Sequence, residues 1–173
     1  NEAGMVAGSS SSVAGGVGRH RGWVWRDGRM TDVGTLGGAH TWISVGRDGL
    51  HRGPSLRGDV VGQSTTAAGD VHAFHWRRGR ITDLGTLGGG RSWAIAVNDR
   101  GQVIGQSQSD TDRGPRAFLW QDGRMVDLTA LAGNPPMTEV FDVNDRGQVV
   151  GRTSDPSTPG VGERIVVWTV PPS

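Results

Sequence analysis

One phrase recurs along this chain and limits what it can fold into. Residues 71–89 read V-H-A-F-H-W-R-R-G-R-I-T-D-L-G-T-L-G-G, two apolar runs joined by an Arg-Gly turn and closed by a Gly-rich corner. Residues 20–38 repeat it as H-R-G-W-V-W-R-D-G-R-M-T-D-V-G-T-L-G-G, and residues 116–133 as R-A-F-L-W-Q-D-G-R-M-V-D-L-T-A-L-A-G. A worn copy, R-I-V-V-W, stands at 164–168. Self-similarity at a fixed period outranks any single-residue signal, because each copy is one structural unit that must bury its faces against its neighbours.

A second phrase alternates with the first: N-E-A-G-M-V-A-G at 1–8, R-G-D-V-V-G at 57–62, N-D-R-G-Q-V-I-G at 98–105 and N-D-R-G-Q-V-V-G at 144–151. Asn, Asp and Gly tolerate left-handed backbone angles, so these runs predict hairpins between apolar strands. One unit is then four short strands, in the third copy about 92–97, 102–108, 116–121 and 124–128. The recurring Trp25, Trp76, Trp120 and Trp168 are spaced by 51, 44 and 48 residues. That is the size of a propeller blade.

Face polarity points the same way. In the run at 116–120, Phe118 and Trp120 alternate with Ala117 and Leu119; in the last copy, Ile165 and Val167 alternate with Val166 and Trp168. Both faces are apolar, as expected of small sheets sandwiched between others. The expectation is an all-β chain, a β-propeller-like array of four-stranded repeats in a single repeat domain, with units at about 1–38, 39–89, 90–133 and 134–173. A β-trefoil is the alternative, but it has three units and parts of four are legible. About 14 strands are expected, three and a half blades. The chain opens at Asn1 without an initiator Met, so closure is expected to draw on residues upstream; the other route is a dimer of copies pairing their open edges.

Composition excludes more than it proposes. Gly is 30 of 173 residues and sits at turns without a Gly-X-Y period. A net charge of +1 offers no field for nucleic acid or an anionic membrane, and no apolar run is long enough for a membrane helix. There is no Cys, hence no disulfide or thiolate chemistry. No Gly-x-Ser-x-Gly elbow is present.

With H-A-F-H-W at 72–76, D-L-G-T-L-G-G at 83–89 and N-D-R-G-Q-V-I-G at 98–105, the chain resembles the HAF repeat family, named for its His-Ala-Phe triplet. The resemblance covers almost the whole chain and implies a bacterial, extracellular, strand-rich repeat array. It implies no catalytic residues. The third unit is near the shared pattern throughout, whereas the first has Arg21, Gly22 and Trp23, and the last Arg164, Ile165 and Val166, around the triplet.

Residues that every copy shares are expected to maintain the fold. Asp32, Asp83 and Asp127 read as turn formers accepting backbone N–H bonds, and the shared tryptophans as core. Function is sought where copies diverge, on the first strand of each unit, which in a propeller lies nearest the axis. There stand His40, Arg91 and Asn134, then Trp42, Trp93 and Glu139, with Asp142 aligned to Ala96 and Ser44. In a closed ring these side chains converge on one mouth. Indoles with a few polar groups suit a small polar ligand or glycan, since sugars stack on Trp faces. In the second reading, a cofactor-independent lyase, hydrolase or cyclase, His40, Arg91, Glu139 and Asp142 carry acid–base and anion-stabilising roles.

An insertion at 47–58, with Arg47, His51, Arg52 and Arg57, is a further candidate for a carboxylate or phosphate. No metal is expected. His72 and His75 are three apart on a strand and face opposite ways, His20 echoes His72 by repeat position, and the Asp-Thr-Asp run at 110–112 is too short for a calcium loop.

Overall fold

The computed structural model describes residues 1–14, 17–44, 53–110, 114–135, 138–154 and 162–170. Among them the chain is all-β, with one single-turn helix. The first unit supplies β1 (Val6–Ala14), β2 (Val17–Arg26) and β3 (Arg29–Asp32). The second supplies β4 (Gly37–Ile43), β5 (Val60–Thr66), β6 (Val71–Arg77) and β7 (Arg80–Asp83), and the third β8 (Gly88–Val97), β9 (Val103–Ser109), β10 (Arg116–Gln121) and β11 (Arg124–Asp127). After α1 (Leu128–Leu131), the fourth supplies β12 (Thr138–Val143), β13 (Gln148–Ser154) and β14 (Glu163–Thr169).

Each unit is an antiparallel meander, paired in chain order. The second and third units join into one eight-stranded sheet through a lone parallel pairing of Val71 with Arg91, so three sheets result and none is closed.

The hairpins follow from their turn residues. In the β2–β3, β6–β7 and β10–β11 connections, Asp27, Arg78 and Asp122 at φ 49°, 49° and 51° each precede a glycine of positive φ. Two successive left-handed residues make the type I′ geometry that matches strand twist. At 98–102, the Asn98 carboxamide oxygen accepts from the N–H groups of Arg100 and Gln102, and Asn144 does the same for Arg146 and Gln148. The shared aspartates also close turns: Asp32 accepts from Gly34 N–H and Asp83 from Gly85 N–H. Asp127 instead caps α1 by accepting from Ala130 N–H. That helix appears where T-A-L-A-G replaces the G-T-L-G-G of earlier units; Leu and Ala favour a helical turn that Gly disfavours.

The core lies between units. Met5, Val24 and Val33 of the first pack on Val60, Phe74 and Trp76 of the second. Val61, Ala73 and Leu84 of the second pack on Ala94, Val103 and Phe118 of the third. Ala96, Ile104, Ala117 and Leu119 of the third pack on Val140, Val149 and Trp168 of the fourth. Alternate residues of one strand thus serve two different cores, which is why both faces read as apolar.

A glycine inside the second strand of the second, third and fourth units lets the neighbouring strands of the same unit approach closely. A Cβ on Gly105 would collide with the Trp93 carbonyl and the Phe118 ring, and Gly62 and Gly151 meet the equivalent carbonyls of Trp42 and Glu139. Because a backbone carbonyl cannot step aside, Gly105→Ala is expected to cost about 3 kcal/mol. A melting temperature unchanged from wild type would refute this close approach.

Candidate functional site

The first strands of the second and third units, with β1 of the first, line a cavity of about 630 Å³. Its walls carry three tryptophans, Trp23, Trp42 and Trp93, with Gln63 and the small residues Ala7, Gly8 and Ser9. Trp42 and Trp93 arrive there for one structural reason. They occupy the same register position, opposite Gln63 and Gln106, on strands fixed by Thr41 and Ser92 beneath them. The Thr41 hydroxyl donates to the Gly34 carbonyl and the Ser92 hydroxyl to that of Gly85, both at 2.6 Å. The Ser44 hydroxyl, at the cavity rim, donates to the Ala94 carbonyl and ties the second unit to the third. In turn, Ile43 N–H donates to the Ser9 hydroxyl and ties the second unit to the first.

Next to the cavity His40 stacks on Trp42, ring centroids 5.3 Å apart and planes 20° from parallel. His20 completes a three-ring cluster, 5.3 Å from Trp42 and 5.7 Å from His40. The His20 backbone N–H donates to His40 Nδ1 at 3.3 Å. An accepting Nδ1 puts the proton of a neutral His40 on Nε2.

The remaining candidates lie elsewhere. Arg91 is exposed at the parallel junction with Val71. Asn134 sits beyond α1 at φ 56°, its side-chain oxygen accepting from Arg116 at 2.7 Å. The positions before Thr41 and Ser92 are His40 and Arg91, and the matching register in the fourth unit, before Thr138, is residue 137, outside the described residues. Asn134 is therefore not their equivalent. Glu139 does share the register of Trp42 and Trp93, facing Arg152 across the strands. Arg152 holds it at 2.8 Å and bonds Glu163 at 2.7 Å, and these carboxylates, Glu139 first, push the guanidinium above its ordinary value. Asp142 pairs with Val150 as Ala96 pairs with Ile104, after a bulge, and lines a separate groove with Asn144, Gln148 and Val167.

The expected convergence on one mouth is therefore limited to His40, Trp42 and Trp93. Arg91, Asn134, Glu139 and Asp142 are not among the residues lining this cavity; Glu139 and Asp142 lie on the first strand of the fourth unit, beside the third. His20 is also not the counterpart of His72: Trp23 pairs with Asp32 as Phe74 pairs with Asp83, which makes Arg21 the equivalent. Of the insertion, Arg47, His51 and Arg52 lie outside the described residues. Arg57 is described and lies beside Arg26, Arg29 and Arg78 around Trp76. Asp110 is described, but its partner Asp112 is not.

Sequence reasoning missed Trp23, His20 and Gln63. Trp23 had a signal, since it stands where other units carry Phe74 and Phe118. It also missed a polar cluster inside the second unit. Asp59, fully buried, bonds His75 Nε2 at 2.8 Å, the Ser55 hydroxyl at 3.1 Å and Arg77 Nε at 3.2 Å. Burial alone would push its carboxyl up; bonds from His75 and Ser55 and the charges of His75 and Arg77 outweigh that and hold it below the ordinary carboxylate range.

No family model, curated protein or solved structure matches the chain.

Proposed function

We propose that the chain is an extracellular β-propeller-like binding module for a carbohydrate or another small polar ligand. The observation that carries this reading is the cavity of about 630 Å³ walled by Trp23, Trp42 and Trp93. Its volume falls within the roughly 300–1,000 Å³ of small-molecule sites. Indoles pinned in register offer flat apolar faces at little entropic cost, and Gln63 supplies a donor and an acceptor for hydroxyl groups. The propeller-like reading draws on the four-strand period and on the face-to-face packing of successive units. The extracellular reading draws on the resemblance to HAF repeats. The enzyme reading has no comparable support, because His40, Arg91, Glu139 and Asp142 occupy separate places.

Tryptophan fluorescence during titration with pools of neutral oligosaccharides tests the proposal. A saturable change is expected, with the ligand recovered intact by mass spectrometry. Trp42→Ala and Trp93→Ala should each weaken binding at least about tenfold, or roughly 1.4 kcal/mol. Unchanged affinity in both would remove the cavity from the function, and a new product mass would replace the binding reading with catalysis.

A further inference from the structure

Among the described residues the first and fourth units present two unlike outer faces, and the repeat shows what each one fits. Each of the three cores among the described residues joins the trailing face of one unit to the leading face of the next. On the leading face Val60, Val103 and Val149 hold one repeat position and are 2%, 0% and 0% exposed; Val6, their equivalent in the first unit, is 50% exposed. Trp25 and Met30 are likewise exposed where Trp76 is buried and Ile81 and Met125 pack against cores. On the trailing face Ala117 and Leu119 of the third unit are fully buried, while Ile165 and Val167 at the same positions in the fourth are 71% and 58% exposed.

Hydrogen bonds between hairpins run in the same sense. The Asn1 amide donates to the Ser55 carbonyl, and Leu56 N–H to the Asp99 carboxylate. The Asn98 amide donates to the Asn144 carbonyl and Asp99 N–H to the Asp145 carboxylate. Each donor belongs to the earlier unit and each acceptor to the later. The Asn144 amide reaches Gln148 as the Asn98 amide reaches Gln102, but it has no further unit beyond it among the described residues. At the opposite end Glu2 holds the repeat position of Asp99 and Asp145.

We infer that the trailing face of the fourth unit binds the leading face of the first unit in a second copy of this chain. The contact reproduces the junction used three times inside the chain: Ile165 and Val167 cover Val6, Trp25 and Met30, and the hairpin at 144–147 donates to Glu2. Such a contact is head-to-tail, and its reciprocal closure by two copies makes a ring of eight units, whereas non-closure makes longer chains. It joins faces, not the strand edges that the sequence suggested.

Sedimentation of the whole chain over a range of concentrations, with Trp25→Glu and Val167→Glu variants, tests this. Both side chains are exposed in the single chain, so neither change disturbs its core. Wild type is expected to associate with rising concentration and each variant alone to remain monomeric. An equimolar mixture of the two should restore a one-to-one complex, because the intact trailing face of one meets the intact leading face of the other. A wild type that stays monomeric throughout overturns the inference. So does association surviving in either variant alone, which would mean edge pairing or like-with-like faces, and so does a mixture that fails to associate.

Discussion

Phe118→Ala is expected to remove about 4 kcal/mol of stability, a large part of the roughly 5–15 kcal/mol that holds a domain folded. Phe118 is fully buried, and its ring lies against Gly105 in the core shared with Val61, Ala73 and Leu84 of the unit before. Truncation loses the transfer energy of the ring and leaves a hole bounded by the strands of the second unit, which are held by their own ladder and cannot collapse into it. Phe74 occupies the same slot one unit earlier and is buried to the same degree, so Phe74→Ala should cost a similar amount. Trp25→Ala, at an exposed end, should cost well under 1 kcal/mol in the dilute single chain. Urea unfolding of the three variants measures the contrast. Equal losses at Phe118 and Trp25 would contradict a core that lies between units.

That contrast also shows how far the sequence reaches. Alternation at 116–121 predicts two apolar faces, and Phe118 and Leu119 indeed enter different cores. The hairpins are equally legible, since Asn98 and Asn144 close them with their own side chains. The strand limits in the third unit agree with expectation to within one residue except at β8, which begins at Gly88 because the Gly-rich corner pairs ahead of a register shift. The helix α1 was not legible: one turn of Leu and Ala carries no period. For the site, a shared register made Trp42 and Trp93 legible. The partners of Glu139 and Asn134 were not, because Arg152 and Arg116 reach them across strands or past a helix, and repeat alignment compares positions without showing what lies opposite.

The second large effect is expected at Asp59. Replacing its buried carboxylate by Asn leaves the Arg77 guanidinium without its counter-charge and His75 Nε2 without its carboxylate partner, and Asp59→Asn should cost about 3 kcal/mol at neutral pH. The pH dependence follows from the lowered carboxyl value. The stability that ionised Asp59 contributes is complete above the unfolded carboxylate value of about 3.9, and it is lost as pH falls below that through the lower native value. The gap between wild type and Asp59→Asn should therefore hold from neutrality to about pH 4 and narrow below it. A gap of constant size down to strong acid would mean that the charge is not what Asp59 supplies. The third unit offers the control. Where the second has Asp59, His75 and Arg77, the third has Gln102, Leu119 and Gln121, with the Gln102 amide donating to Gln121 at 2.6 Å. Transplanting that set as Asp59→Gln, His75→Leu and Arg77→Gln replaces the carboxylate and both of its partners together, so no charge is stranded. The triple variant should recover most of what Asp59→Asn loses and show no narrowing near pH 4, because buried ion pairs are often matched by neutral residues of suitable shape. If it is as unstable as the single variant, the ionic cluster holds the second unit to the third in a way that the neutral set cannot reproduce.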